Sequence, residues 1–155
     1  MHHNSAGTRI SPTEIWESRN PWLIKKIEFA KDSCGAGEFR GGLGLNLEFE
    51  MLEDTFITTV VERTKFPPWG IKEGCAARAN NVEVNQKKGK KFNMPKKSGF
   101  KLSKGDKITF MTGGGGGYGN PKNRRISSIK NDIYGTDNVP PPMPISELIV
   151  PFKKK

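Results

Sequence analysis

Long apolar runs are missing from this chain. No stretch of about 18 apolar residues occurs, so no membrane-spanning helix is expected. The opening Met1-His2-His3-Asn4-Ser5 lacks the apolar segment of a secretory signal, and a soluble, cytoplasmic protein is expected. Cysteine is scarce too. Cys34 and Cys75 are too few for a disulfide framework and lack CxxC spacing, which predicts two free thiols in a reducing compartment. His2 and His3 are the only histidines. With the two thiols they make four zinc-type ligands, but adjacent histidines and scattered cysteines match no metal spacing in use. Apolar residues reach only 34% and aromatics 9%. A chain of 155 residues therefore fits one domain with a moderate core.

Acidic residues are scarce in one half only. Residues 1–85 carry ten Lys/Arg against twelve Asp/Glu, and residues 86–155 carry sixteen against four. The net charge of +10 thus belongs to the second half, in Lys87-Lys88-Gly89-Lys90-Lys91, Lys96-Lys97, Arg124-Arg125 and Lys153-Lys154-Lys155. Such a stripe binds polyanions by counterion release or is simply a solvated face. Lysine without interleaved stacking aromatics argues against single-strand nucleic-acid recognition.

What the chain has in quantity is glycine (18) and proline (11), the punctuation of turn-rich β structure. Ser11-Pro12-Thr13-Glu14 predicts a short capped helical turn over 11–20, with Ser11 as N-cap and Glu14 as its box partner, ended by Asn20-Pro21. Trp22 to Ala30 alternates as a strand, with Leu23, Lys25, Ile27 and Phe29 on one face. Leu45 to Met51 alternates strictly, and the β-branched run Thr55 to Val61 reads as its hairpin partner. Short strands follow at Asn81–Asn85, Phe100–Leu102 and Lys107–Met111, the last two flanking the polar turn Ser103-Lys104-Gly105-Asp106. The expected fold is mainly β, a single sandwich- or barrel-like domain with glycine-rich loops. Ile126 to Tyr134 suits a short helix, and Pro140 to Pro144 open a poorly ordered tail.

Three glycine-centred cassettes interrupt these strands. The first is Asp32-Ser33-Cys34-Gly35-Ala36-Gly37-Glu38-Phe39-Arg40-Gly41-Gly42-Leu43-Gly44. It reads as an irregular loop with Asp32 pairing Arg40, or as a backbone cradle with Arg40 or Ser33 facing a substrate or neighbour. No Gly-Lys-Ser/Thr follows, so it is not a P-loop. The second, Lys65-Phe66-Pro67-Pro68-Trp69-Gly70, offers flat apolar surface for core packing or a subunit contact, with Arg63 and Lys65 available to anions. The third runs from Gly113 to Gly117 into Tyr118-Gly119-Asn120-Pro121. It is a flexible loop, a nest of N–H groups for an anion, or a loop pressed onto another chain.

In this order, with the Ser5–Glu17 stretch, the cassettes resemble the C-terminal part of the hydantoinase B/oxoprolinase family over about residues 7–121, taken as domain 1–121 with a divergent basic, proline-rich tail at 122–155. That family includes subunits of ATP-dependent hydantoinases, 5-oxoprolinases and acetone- or acetophenone-carboxylase-type enzymes. The resemblance implies a partial, truncated or split B-type subunit of a cyclic-amide hydrolase or ketone carboxylase complex. The implied partners are a hydantoinase A-like ATP-binding subunit and a separate N-terminal B-type fragment, with ATP and a divalent metal bound there rather than by this chain. The residues implied to line the site or contact other chains are Arg40, Gly41, Gly42, Phe66, Trp69, Gly115, Gly116 and Tyr118. No paired carboxylates, nucleophile–histidine pair or metal cluster is legible, so catalysis by the chain alone is not expected. A non-catalytic remnant and a basic polyanion-binding module are the rival readings. Departures from the family pattern include Cys34 for glycine, which predicts strain at a left-handed position, Asn120 for aspartate, and a degraded stretch at residues 73–78.

Overall fold

The computed structural model describes residues 11–134. The elements are α1 (Thr13–Arg19), β1 (Trp22–Phe29), β2 (Leu45–Met51), β3 (Thr55–Val60), β4 (Asn81–Asn85), β5 (Lys91–Asn93), β6 (Lys96–Leu102), β7 (Lys107–Met111) and α2 (Ile126–Tyr134), with a short 3-10 turn at Pro121–Asn123. Five strands form one sheet in the order β1-β2-β7-β4-β5, and β3 pairs with β6 in a second. Every pairing is antiparallel. The mainly β expectation holds, with the strands close to where alternation put them. The expected tail from Pro140, the histidine pair and the first residues of the Ser5–Glu17 motif lie outside the described residues.

The core follows from the alternation in β2. Phe49 and Met51 point inward with Val82 and Val84 of β4 and Ile108 of β7, and Leu102 of β6 and Met94, between β5 and β6, complete the cluster. Fully burying side chains of this size stabilises the fold by about 1.5–3 kcal/mol each. Trp16 of α1 and Trp22 of β1 pack on Phe49 with centroids at 5.9 and 5.6 Å, and Phe110 meets its edge at 5.9 Å. α1 is capped differently from the expectation: Pro12 is its N-cap and no side chain bonds the free amides there, so the Ser11–Glu14 box does not form. Asn20 ends it in extended backbone, its amide donating to the Trp16 carbonyl at 2.9 Å.

The expected β2–β3 hairpin is overturned. β2 pairs with β1 and β7, whereas β3 pairs with β6. Glu50 faces Lys107 before the corner and Thr55 faces Leu102 after it, the same five-residue step along each chain. β2–β3 and β6–β7 are therefore two sides of one ribbon that bends between sheets without losing register. The bend is built by Asp106, which is 3% exposed and accepts from the amides of Lys87 (2.9 Å) and Ser103 (3.0 Å). Gly105, at φ 87°, supplies the left-handed residue the turn requires. Glu53-Asp54 reads locally as a hairpin turn but is the outside of this corner.

Asp54 is held below its ordinary pKa of 3.8 by the Lys101 ammonium and then by the Lys104 amide. A depressed carboxylate contributes stability above its unfolded pKa and loses it as pH falls through the folded value. Asp54→Asn should accordingly remove part of the loss of thermal stability on acidification below pH 3.8, with melts at high salt narrowing the difference between the two proteins.

Candidate functional site

The three cassettes, far apart in the chain, interlock through their backbones. Ser33 is the hub of the first loop. Its hydroxyl donates to the Ala30 carbonyl and accepts from the Gly44 amide, both at 2.7 Å, and its carbonyl accepts from Arg78 and Gly114. Being wholly buried, Ser33 faces neither substrate nor neighbour. Gly35 donates to Gly115, Gly115 to Gly42, Gly117 to Cys75, and Cys75 to Ala36. Phe39 and Tyr118 exchange two hydrogen bonds at 3.0 and 2.9 Å, while Ile71 donates to Gly117 and accepts from Gly119. The stretch at residues 73–78, degraded by family pattern, still threads this network.

Close approach explains the glycines. A Cβ at Gly35, Gly41, Gly44, Gly74, Gly114, Gly116 or Gly117 would fall inside the 3.0 Å that real Cβ atoms keep from a neighbouring backbone atom. At Gly41 the obstacle is the Gly115 carbonyl and at Gly116 the Trp69 carbonyl. Gly42 meets nothing within 4 Å. Positive φ is not the general reason, since among the cassette glycines only Gly119 (74°) has it. Cys34 lies outside the left-handed region, so the expected strain is not there; Asp32 at φ 53° takes it instead. The amides of Gly113, Gly114, Gly115 and Gly117 all donate within the chain, so the third loop is not an anion nest. It is pressed onto its own chain.

Arg40 does not pair Asp32. Its Nε donates to Asp132 Oδ1 of α2 at 2.7 Å, and Arg124 donates to Oδ2 of the same carboxylate at 3.0 and 2.7 Å. Arg124 also reaches the Glu38 carbonyl at 3.0 Å, tying α2 to the first loop. Burial works against the charged Arg40 guanidinium, and the hydrogen bond and charge of Asp132 more than offset it, raising its pKa. Two cations on one carboxylate leave net positive charge beside a cleft of about 480 Å³, where Gly41, Gly42, Ser128 and Asn131 also lie. Asp132 was not singled out from the sequence, and Arg124 was noted only as part of the basic stripe. Ile126–Tyr134 is legible as a helix, but its partner lies 92 residues away and leaves no local pattern.

The aromatics face outward. Phe66 is 82% exposed, Trp69 69%, Phe39 60% and Tyr118 42%, so core packing is not the role of Phe66 and Trp69. The Arg63 guanidinium sits 5.5 Å over Trp69 and the Lys72 ammonium 5.4 Å over Tyr118. Lys72 and Glu73 both adopt positive φ, and the Glu73 carboxylate accepts from the Asn120 amide at 2.7 Å. An aspartate at 120 would face that carboxylate with like charge; asparagine donates to it. Of the eight expected site residues, the fold joins Gly41 and Gly42 to Gly115, and Trp69 to Gly116, with Tyr118 in the same network and Arg40 beside Gly41 and Gly42 at the cleft. Phe66 stands at the rim. Among the described residues no three His, Cys, Asp or Glu side chains gather as a metal site, and no helix is long and apolar enough to cross a membrane.

The model of the hydantoinase B/oxoprolinase family matches residues 1–121. A protein of uncharacterised function from Methanocaldococcus jannaschii is 37% identical over 123 residues, 79% of this chain and 22% of its own length. The caprolactamase subunit beta of Pseudomonas jessenii is 33% identical, covering 77% and 22%, and the 5-oxoprolinase of Dictyostelium discoideum is 32% identical, covering 77% and 9%. In structure the chain superimposes on the ATP-dependent caprolactamase of Pseudomonas jessenii with a TM-score of 0.73 at 23% identity, over 89% of this chain and 24% of that one. The nucleotide-free acetone carboxylase gives 0.70 at 17%, over 91% and 22%. These two likenesses are of fold. The chain spans about a fifth of the length of the Methanocaldococcus and Pseudomonas relatives and about a tenth of the 5-oxoprolinase.

Proposed function

The chain belongs to the hydantoinase B/oxoprolinase family, and from that premise we propose that it works as one unit of a B-type subunit in an ATP-dependent assembly that hydrolyses cyclic amides or carboxylates ketones. Its part is to present the interlocked loops to neighbouring chains. A hydantoinase A-like subunit is the proposed partner, and ATP and a divalent metal belong to that partner or to the rest of the B-type chain. The observation that carries this reading is the pairing of a rigid backbone knot with outward aromatics. Side chains such as Trp69 and Phe66, exposed on loops tied down by backbone hydrogen bonds, lose little entropy on contact and suit the centre of an interface. The positive cleft at Arg40 and Arg124 suits an anionic group of substrate or partner.

The test is capture of the tagged chain from native lysate, with mass spectrometry of what co-purifies and assay of ATP-dependent amide hydrolysis. A hydantoinase A-like ATPase is expected to co-purify. Trp69→Ala with Phe66→Ala should lower its recovery about tenfold or more and leave the melting temperature of the chain unchanged. Parental recovery by the double variant, or a chain that brings down no ATPase, would sink the proposal.

A further inference from the structure

A cavity of about 720 Å³ is an apolar groove that ends at Thr112, next to the third cassette. One wall is the inward face of the five-stranded sheet, with Leu47 and Phe49 of β2 and Ile108 and Phe110 of β7. The other wall is the consecutive run Thr55–Thr59 of β3. Neighbouring residues of a strand point to opposite faces, so a run of this kind means that the groove opens along the edge of β3. Among the described residues β3 pairs only with β6, and its other edge is free.

That edge differs from the others in the molecule. β1 carries Lys25, Lys26, Glu28 and a register slip; β5 is three residues long; β6 carries Lys96, Lys97 and Lys101. Charge, brevity and irregularity blunt an edge against pairing with another chain. β3 reads Thr-Phe-Ile-Thr-Thr-Val, without charge, proline or glycine, and Phe56 and Val60 are 72% and 73% exposed. Its one irregularity, between Ile57 and Thr59, is in its pairing with β6. Trp22, also at the groove, holds the one buried side-chain donor without a partner among the described residues.

We propose that β3 accepts an added strand whose alternate apolar side chains fill the groove, supplied by the part of a hydantoinase B-type chain lying outside the unit matched here. Strand addition draws affinity from main-chain hydrogen bonds and specificity from pockets for alternate side chains, and β3 with its groove offers both. The occupant follows from size: in two relatives the matched unit is 22% of the chain, so most of the subunit is available to pack around it. The inference rests on reading the chain as one unit of such a subunit.

The experiment mixes the full chain with a probe, the Methanocaldococcus jannaschii relative lacking its matched segment, and follows binding and amide exchange without ATP. Expected are a one-to-one complex and at least about tenfold slower exchange at residues 55–60. Phe56→Lys should weaken binding about tenfold or more, while Ile126→Lys, equally exposed but on α2, should not. Should the probe fail to fold, a chimera of that relative carrying residues 11–134 in place of its own segment must show the same slowing. The proposal is overturned if the complex or chimera leaves 55–60 exchanging as in the free chain, or if Phe56→Lys binds like the parent. It is also overturned if light scattering shows the free chain to be a dimer that Phe56→Lys turns into a monomer. A chimera that protects β3 but supports no ATP-dependent hydrolysis would remove the functional reading and leave the docking surface standing.

Discussion

Gly41→Ala should destabilise the protein by about 3 kcal/mol or more, against less than about 0.5 kcal/mol for Gly42→Ala next to it. The two glycines are identical by composition and by any local pattern. At 41 a methyl group would occupy the space of the Gly115 carbonyl, and at 42 it would meet nothing within 4 Å. Relief at 41 requires the first and third loops to part, which breaks the Gly35–Gly115 and Gly115–Gly42 hydrogen bonds together. For a domain of this size each kcal/mol lowers the melting temperature by about 2–4 °C, so the pair of melts separates them clearly. Equal melts would mean that the loops are not in backbone contact in solution.

Asp132→Asn should cost about 3 kcal/mol, because it leaves two half-buried guanidinium groups without the carboxylate that both address. The same change keeps the size of the side chain, so the loss is one of charge. Arg40→Met should cost much less, about 1 kcal/mol, since Arg124 still holds the Asp132 carboxylate through Nε and Nη2. The measurement is denaturant unfolding of both variants, with amide exchange in α2 as the local readout. Asp132→Asn should free α2 from the first loop; protection of α2 as in the parent would show that the cluster does not anchor the helix.

The contrast between these residues marks how far the sequence reaches. Strand positions were legible because Leu47, Phe49 and Met51 alternate with Asn46, Glu48 and Glu50, and a period of two has one physical meaning on a half-buried sheet. Pairing was not legible. Thr55 to Val60 has the composition of a hairpin partner, yet its partner is β6, because the β2–β3 segment turns a corner that Asp106, far along the chain, builds. The site was half legible. The cassettes announced themselves by their glycines, and their order identified the family. That they lock onto one another, and that Arg40 answers to Asp132 rather than Asp32, depends on contacts between distant segments that carry no local periodicity. The exposure of Phe66 and Trp69 had the same status: a Phe-Pro-Pro-Trp run is equally at home in a core or on a surface.

The knot also has a place in time. Its loops are anchored where β1, β2 and β7 end: Ala30 donates to Gly44, and Thr112 to Leu45. Those strands must lie side by side before the three loops can meet, and closing such long stretches of chain is costly until the sheet rewards it. The loops are therefore expected to lock after the rate-limiting step of folding. Gly41→Ala should thus act on unfolding, hastening escape from the native state while refolding proceeds at the parental rate. On a chain leaving the ribosome, the three loops, with Phe66 and Trp69 exposed on them, are expected to reach their final arrangement only once the sheet that anchors them is finished.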